Sequence, residues 1–162
     1  MKKRVIGDIE TLIPGKEETW LDLDALASVE ISSENPDRPI EAALMPGFNQ
    51  GWQAGGPGEQ IIRLLFAQAQ NIRCVQLEFS ESALARTQEY VLRMSQDNGA
   101  SFRDMVRQQW NFSPTGATME SEMHVVDMPG VTTIELTITP DIGNPQAVAT
   151  LDKMRVSELF PI

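Results

Sequence analysis

Hydrophobic and polar positions along this chain alternate in short runs. Ile62, Leu64 and Phe66 fall on one face of an extended segment, and Val75, Leu77 and Phe79 on one face of the next. A polar break at Gln68 to Asn71 separates them, and Gly56-Pro57-Gly58 ahead of them marks a chain reversal. The two runs read as neighbouring strands. Upstream, Leu21, Leu23, Ala25, Ala27, Val29 and Ile31 occupy alternate positions, as one buried face of an extended segment would. Ser32 to Pro39 reads as a loop, and Ile40 to Met45 is too short to classify. Ile134, Leu136 and Ile138 alternate with threonines, which is the plainest strand signal in the chain. Val148 to Val156 supplies a closing strand, ended before Pro161.

Two segments fit a second period. Ala83, Thr87, Tyr90, Val91 and Met94 also form a helical stripe. So do Phe102, Met105, Val106, Gln109 and Trp110, with Ser101-x-x-Asp104 as a capping box. Strands are preferred because Asp97-Asn98-Gly99 separates the two, its Asn-Gly supplying the positive φ of a tight hairpin, and because the neighbouring segments are β-rich. The pattern as a whole predicts an all-β, antiparallel β-sandwich with room for one short helix.

Composition narrows this to one domain. A chain of 162 residues, 41% hydrophobic and 22% charged, buries a full core, and no apolar run approaches a membrane span. Between Asp8 and Glu41 there are ten acids against two bases, Lys16 and Arg38. The reading is an acidic extension over residues 1–25 packed on a binding domain over 26–162. A net charge of −10 repels phosphate backbones and anionic surfaces, so neither nucleic acid nor a membrane is an expected partner. The start, Met-Lys-Lys-Arg-Val-Ile-Gly-Asp, lacks the apolar core of a secretory signal, giving a cytoplasmic expectation. Cys74, the only cysteine, excludes an internal disulfide framework and reads as a buried, inert thiol.

Catalytic constellations are thin. The only histidine, His124, has no Gly-x-Ser-x-Gly elbow to serve, and one His with one Cys is too little for zinc. Gly55-Gly56-Pro57-Gly58 lacks the Lys-Ser/Thr of a phosphate loop and reads as a turn. The chain is therefore read as non-enzymatic. Phe48-Asn49-Gln50-Gly51-Trp52-Gln53 is rich in aromatics and amides, the parts with which sugar sites stack on a ring face and bond its hydroxyls. Trp52 has a plain alternative as a core plug at a strand entry. Arg86 offers a forked donor for a hydroxyl pair or carboxylate, or is an ordinary solvated arginine. Trp110 and Phe112 flank Asn111, and their alternative is core packing.

Taken in order, these motifs resemble the galactose-binding-like jelly-roll superfamily, which includes discoidin-type domains and many bacterial carbohydrate-binding modules. The matching stretches are Ala27 to Ser33, Gly51-Trp52, Gln60 to Phe66, Ile72 to Phe79, Ser95-Gln96-Asp97-Asn98-Gly99-x-x-Phe102 and Ala149-x-Leu151-x-x-Met154-x-Val156. Within the superfamily, Trp52-x-Ala54 followed by Gly58-Glu59 and two strands is similar to the amino-terminal domain of a single-strand-break repair scaffold. The resemblance implies a non-catalytic module that binds carbohydrate through loops at one end of the sandwich. The site residues expected there are Asn35, Asn49, Gln50, Trp52, Arg86 and Asn111, on loops 35–38, 48–53, 82–86 and 111–115. The scaffold likeness implies the alternative, a protein-interaction or homo-oligomerisation domain. No cofactor is expected beyond the structural calcium that the superfamily often carries, for which Asp22-x-Asp24 and Glu34-Asn35-x-Asp37 offer oxygen ligands.

Overall fold

The computed structural model describes residues 20–161. Its strands are β1 (Ala27–Ile31), β2 (Trp52–Pro57), β3 (Gln60–Ser80), β4 (Arg86–Ser95), β5 (Arg103–Phe112), β6 (Met119–Thr139), β7 (Val148–Leu151) and β8 (Lys153–Ser157). Two helical turns accompany them, α1 (Leu23–Leu26) and α2 (Glu41–Leu44).

The organising element is the ribbon made by β3 and β6, antiparallel from Gln60 opposite Ile138 to Ser80 opposite Met119. This ribbon doubles back. Tyr90 of β4 pairs through its backbone with Ile138, while its hydroxyl lies 2.7 Å from His124 Nε2, fourteen residues earlier on the same strand. One arm of the ribbon therefore joins β1, β4 and β5 in a five-stranded sheet of order β1-β3-β6-β4-β5. The other arm, Cys74 to Ser80 with Met119 to Val125, joins β8 in a three-stranded sheet on the far side of the core. Register shifts at Leu65/Gln70, Gln70/Ile72 and Ile72/Cys74 mark the corner, where Asp127 and Gly130 take positive φ of 45° and 62°. Bulges let a paired ribbon bend sharply without unpairing.

The corner corrects one sequence reading. The runs around Leu64 and Leu77 face each other from opposite layers rather than pairing as neighbours, and the polar break between them is the bend. Alternation reports only which side of a strand is buried, so it reads the same for a hairpin and for a corner. Asp152 likewise splits the expected closing strand: β7 pairs with β2 and β8 with β3. The alternation from Leu21 to Ile31 is also broken, because Asp22 caps α1 by accepting the Ala25 N–H, and extended chain begins only at Ala27. Ile40 to Met45 contains α2, which buries Ala42, Ala43 and Leu44.

β4 and β5 are strands, as preferred, joined by a turn with Asn98 and Gly99 at φ 58° and 86°. Asp104 caps nothing; its carboxylate meets Arg93 across the pair at 2.8 Å. Inside the sandwich, Leu64, Leu77, Phe79, Leu92, Ile134 and Leu136 are fully buried. On the outer face of the larger sheet, Glu30, Arg63, Glu135, Arg93 and Asp104 contribute one charge from each of its five strands, alternating in sign at 3.7, 2.7, 3.6 and 2.8 Å. Of the acidic extension, Trp20 and Leu23 are buried against the sandwich and the Leu21 N–H donates to Val156 O; residues 1–19 lie outside the described residues.

Candidate functional site

Both arms of the ribbon return to the same end of the sandwich, and the connections there enclose a groove of about 450 Å³. One wall is Arg38 and Gln53, a second the β3–β4 connection with Glu81 and Leu84, and a third Asn144, Gln146, Thr150 and Asp152 around β7. Arg86 closes the base. Its Nε donates to Glu81 Oε1 at 2.7 Å, its Nη1 to Pro140 O at 2.7 Å and Gln88 Oε1 at 3.2 Å, and its guanidinium lies 4.7 Å over the Phe112 ring. A buried guanidinium must be paired in this way. Burial works to raise the Glu81 carboxyl, but the Arg86 guanidinium and the Ala83 N–H outweigh it and hold the group below its ordinary range. The same carboxylate accepts from Ala83 and Leu84, so the loop that presents Leu84 to solvent is fixed to the base of the groove.

The opposite wall is fixed as well. Asn35 Nδ2 donates to Gln53 Oε1 at 2.8 Å, and Arg38 Nε donates to Gly51 O at 3.1 Å. Amide, guanidinium and carboxylate groups thus converge with two exposed aliphatic side chains, Leu84 and Val148, the equipment for fixing a polyhydroxylated ligand with an apolar face.

Of the residues expected from sequence, Arg86 lines the groove, and Asn35 positions a residue that does. Arg86 is buried, not solvated. Trp52 is fully buried, its Nε1 donating to Ser33 O, so the core-plug alternative describes it and its ring faces no ligand here. Asn49 and Gln50 are exposed and stand outside the groove lining. Asn111 accepts from Thr87 Oγ1 at 2.7 Å on the outer face of β5, also outside the lining, while Phe112 is buried beneath Arg86. Sequence reasoning missed Glu81, Asn144, Gln146, Thr150 and Asp152. The signal for part of that wall was available in Asp141-Ile142-Gly143-Asn144-Pro145-Gln146, a turn-rich polar run between two strand patterns.

A second polar cluster lies between the sheets. Gln88 Nε2 donates to Glu120 Oε1, and the Tyr90 hydroxyl meets His124. Burial, reinforced by Glu122, pushes the Glu120 carboxyl up to about 7, and burial lowers His124, which favours a neutral imidazole. Cys74 is buried and its thiol is pushed up to about 11 by desolvation, so it stays protonated at neutral pH. Among the described residues, no three His, Cys, Asp or Glu side chains gather as a metal site would require, and no helix is long and apolar enough to cross a membrane.

Comparisons with known proteins divide sharply between sequence and structure. No family model and no curated protein matches the chain. Among solved structures, it is similar to the family 32 carbohydrate-binding module of NanJ from C. perfringens, in complex with galactose: TM-score 0.63 and 12% identity over 85% of this chain and 97% of that one. It is also similar to the family 32 module of AlyQ in complex with 4,5-unsaturated mannuronic acid, with TM-score 0.58 and 17% identity over 81% and 94%. A third is a family 32 module from Clostridium perfringens in complex with GalNAc-β-1,3-galactose, with TM-score 0.57 and 18% identity over 81% and 94%. The fold is the antiparallel jelly-roll β-sandwich that these modules share.

Proposed function

We propose that this chain is a non-catalytic carbohydrate-binding module that takes its glycan in the groove at the loop end. The observation that carries the reading is the rigid convergence of Arg38, Gln53, Asn144, Gln146 and Asp152 around the exposed Leu84, over a base locked by the Glu81–Arg86 pair. The structural neighbours that are carbohydrate-binding modules support it. Aliphatic side chains replace the aromatic platform expected from sequence, so hydrogen bonds supply most of the selectivity. Hydroxyl pairs suit the amides of Gln53, Asn144 and Gln146, and Arg38 suits a carboxylated sugar.

Calorimetry against neutral and uronic oligosaccharides, with and without calcium, tests the reading. Asn144 and Gln146 are exposed and outside the core, so Q146A leaves the fold intact, whereas N144A also removes the Oδ1 that accepts the Gln146 N–H and loosens that turn. Each is expected to weaken binding by roughly 1 kcal/mol or more, the cost of one net hydrogen bond. A blank across both sugar classes, or binding indifferent to both substitutions, would overturn it.

A further inference from the structure

The smaller sheet is one strand short. Among the described residues, β6 pairs only with β3 along Met119 to Val125, and β4 joins β6 only from Thr133 onward. Yet β4 lies across the core from this arm, as the Tyr90–His124 and Gln88–Glu120 contacts show. β5, which pairs with β4 alone, therefore overhangs the smaller sheet by one strand. Its inward residues Val106, Gln108 and Trp110 are only half-buried, and Trp110 Nε1 is shielded from solvent without a hydrogen-bond partner. A strand paired to this edge of β6 would lie about 4.8 Å from it, beneath the inner face of β5.

We propose that this edge binds an extended segment of another protein by strand addition, with apolar residues alternating with basic or polar ones. Met119, Met123 and Val125 project outward from the free edge and are 58%, 37% and 56% exposed. An added strand would set its own apolar residues beside them, as cross-strand neighbours. Its inward residues would meet Glu122, the edge of the Glu120 cluster and the Trp110 ring, a setting for the charge and stem of a lysine or arginine. A net charge of −10 favours such a segment at long range.

The full chain is panned against displayed ten-residue peptides that alternate Val, Ile or Leu with Lys, Arg or Thr, beside a pool of the same composition in scrambled order. An enriched peptide is then titrated in ¹⁵N-labelled protein. Binding is expected to protect the amides of 119–125 that point away from β3 from hydrogen exchange, and V125K and E122K are each expected to weaken it at least tenfold. Q146A, in the groove, is expected to leave it unchanged, which separates this site from the glycan reading. Val125 is exposed, so V125K tests the edge without disturbing the core. Failure to enrich alternating over scrambled peptides, binding indifferent to both substitutions, edge amides already protected in the free chain, or a free dimer dissolved by V125K would each overturn the proposal.

Discussion

Trp52 is held by two kinds of force that substitutions can separate. Its ring fills the core beside β7 and its Nε1 donates to Ser33 O, tying the loop after β1 to β2. W52F keeps most of the burial and strands that carbonyl, for an expected loss of about 1–3 kcal/mol, whereas W52A should cost roughly 3–5 kcal/mol. Urea titration distinguishes them. Glu120 makes a prediction about pH. Its folded-state carboxyl sits at about 7, above the ordinary 4.5, so its contribution to stability is full below about 4.5 and is lost as the pH climbs through about 7. Melting temperatures of the parent chain should fall over that window, and E120Q should flatten the fall. Asp97 behaves oppositely. Hydrogen bonds from the Ser101 and Ser95 hydroxyls and the Ser101 N–H lower it to about 2, so what it adds to the β4–β5 turn persists until strong acid.

Strands are coupled here by charge as well as by backbone pairing. In the row Glu30, Arg63, Glu135, Arg93 and Asp104, the central Glu135 is 5% exposed and touches two arginines. E135A leaves the half-exposed Arg63 and Arg93 with only their outer partners, Glu30 and Asp104, and should cost about 1–2 kcal/mol, while E30A, at the exposed end, should cost under about 1 kcal/mol. Thermal melts of the two proteins side by side check the gradient. Gly51 marks where strands approach too closely for any side chain: a Cβ there would lie 2.1 Å from Leu151 O and 2.5 Å from Asp152 Cα. G51A should therefore destabilise by about 3 kcal/mol or more, read in the same urea titration as W52A. Strand identity was legible because β-branched and aromatic residues recur at a period of two, as in Ile134 to Ile138. Strand partnership was not, since it is decided across the core, by contacts such as Tyr90 with His124 that no local pattern records.

At the level of the whole molecule, far-ultraviolet dichroism should report predominantly β structure, and a mainly helical spectrum would contradict the fold. The jelly-roll fold was legible from the order of short motifs, even though no family model matches the sequence. The candidate groove was less so. Arg86 was visible as a forked donor, but Gln146 of the β6–β7 connection, Thr150 of β7 and Asp152 just after it join it only because that stretch of chain folds over the same end as the β3–β4 loop. Aromatic content misled, because Trp52 looks the same in sequence whether it plugs a core or faces a ligand. A half-buried ring did turn up at Trp110, on the side of the sandwich and away from the groove.

The doubled-back ribbon has a consequence for taking the protein apart. Ala67, Gln68 and Ala69 are exposed at its bend, so a nick there would part β1, β2 and the first arm of β3 from the strands of β6 and β7 that they pair with. Neither piece could fold as half a sandwich, yet each carries the template the other lacks. Two separately expressed halves, 1–68 and 69–162, should find one another in solution and restore the intact domain, making this chain a candidate for split-reporter assembly.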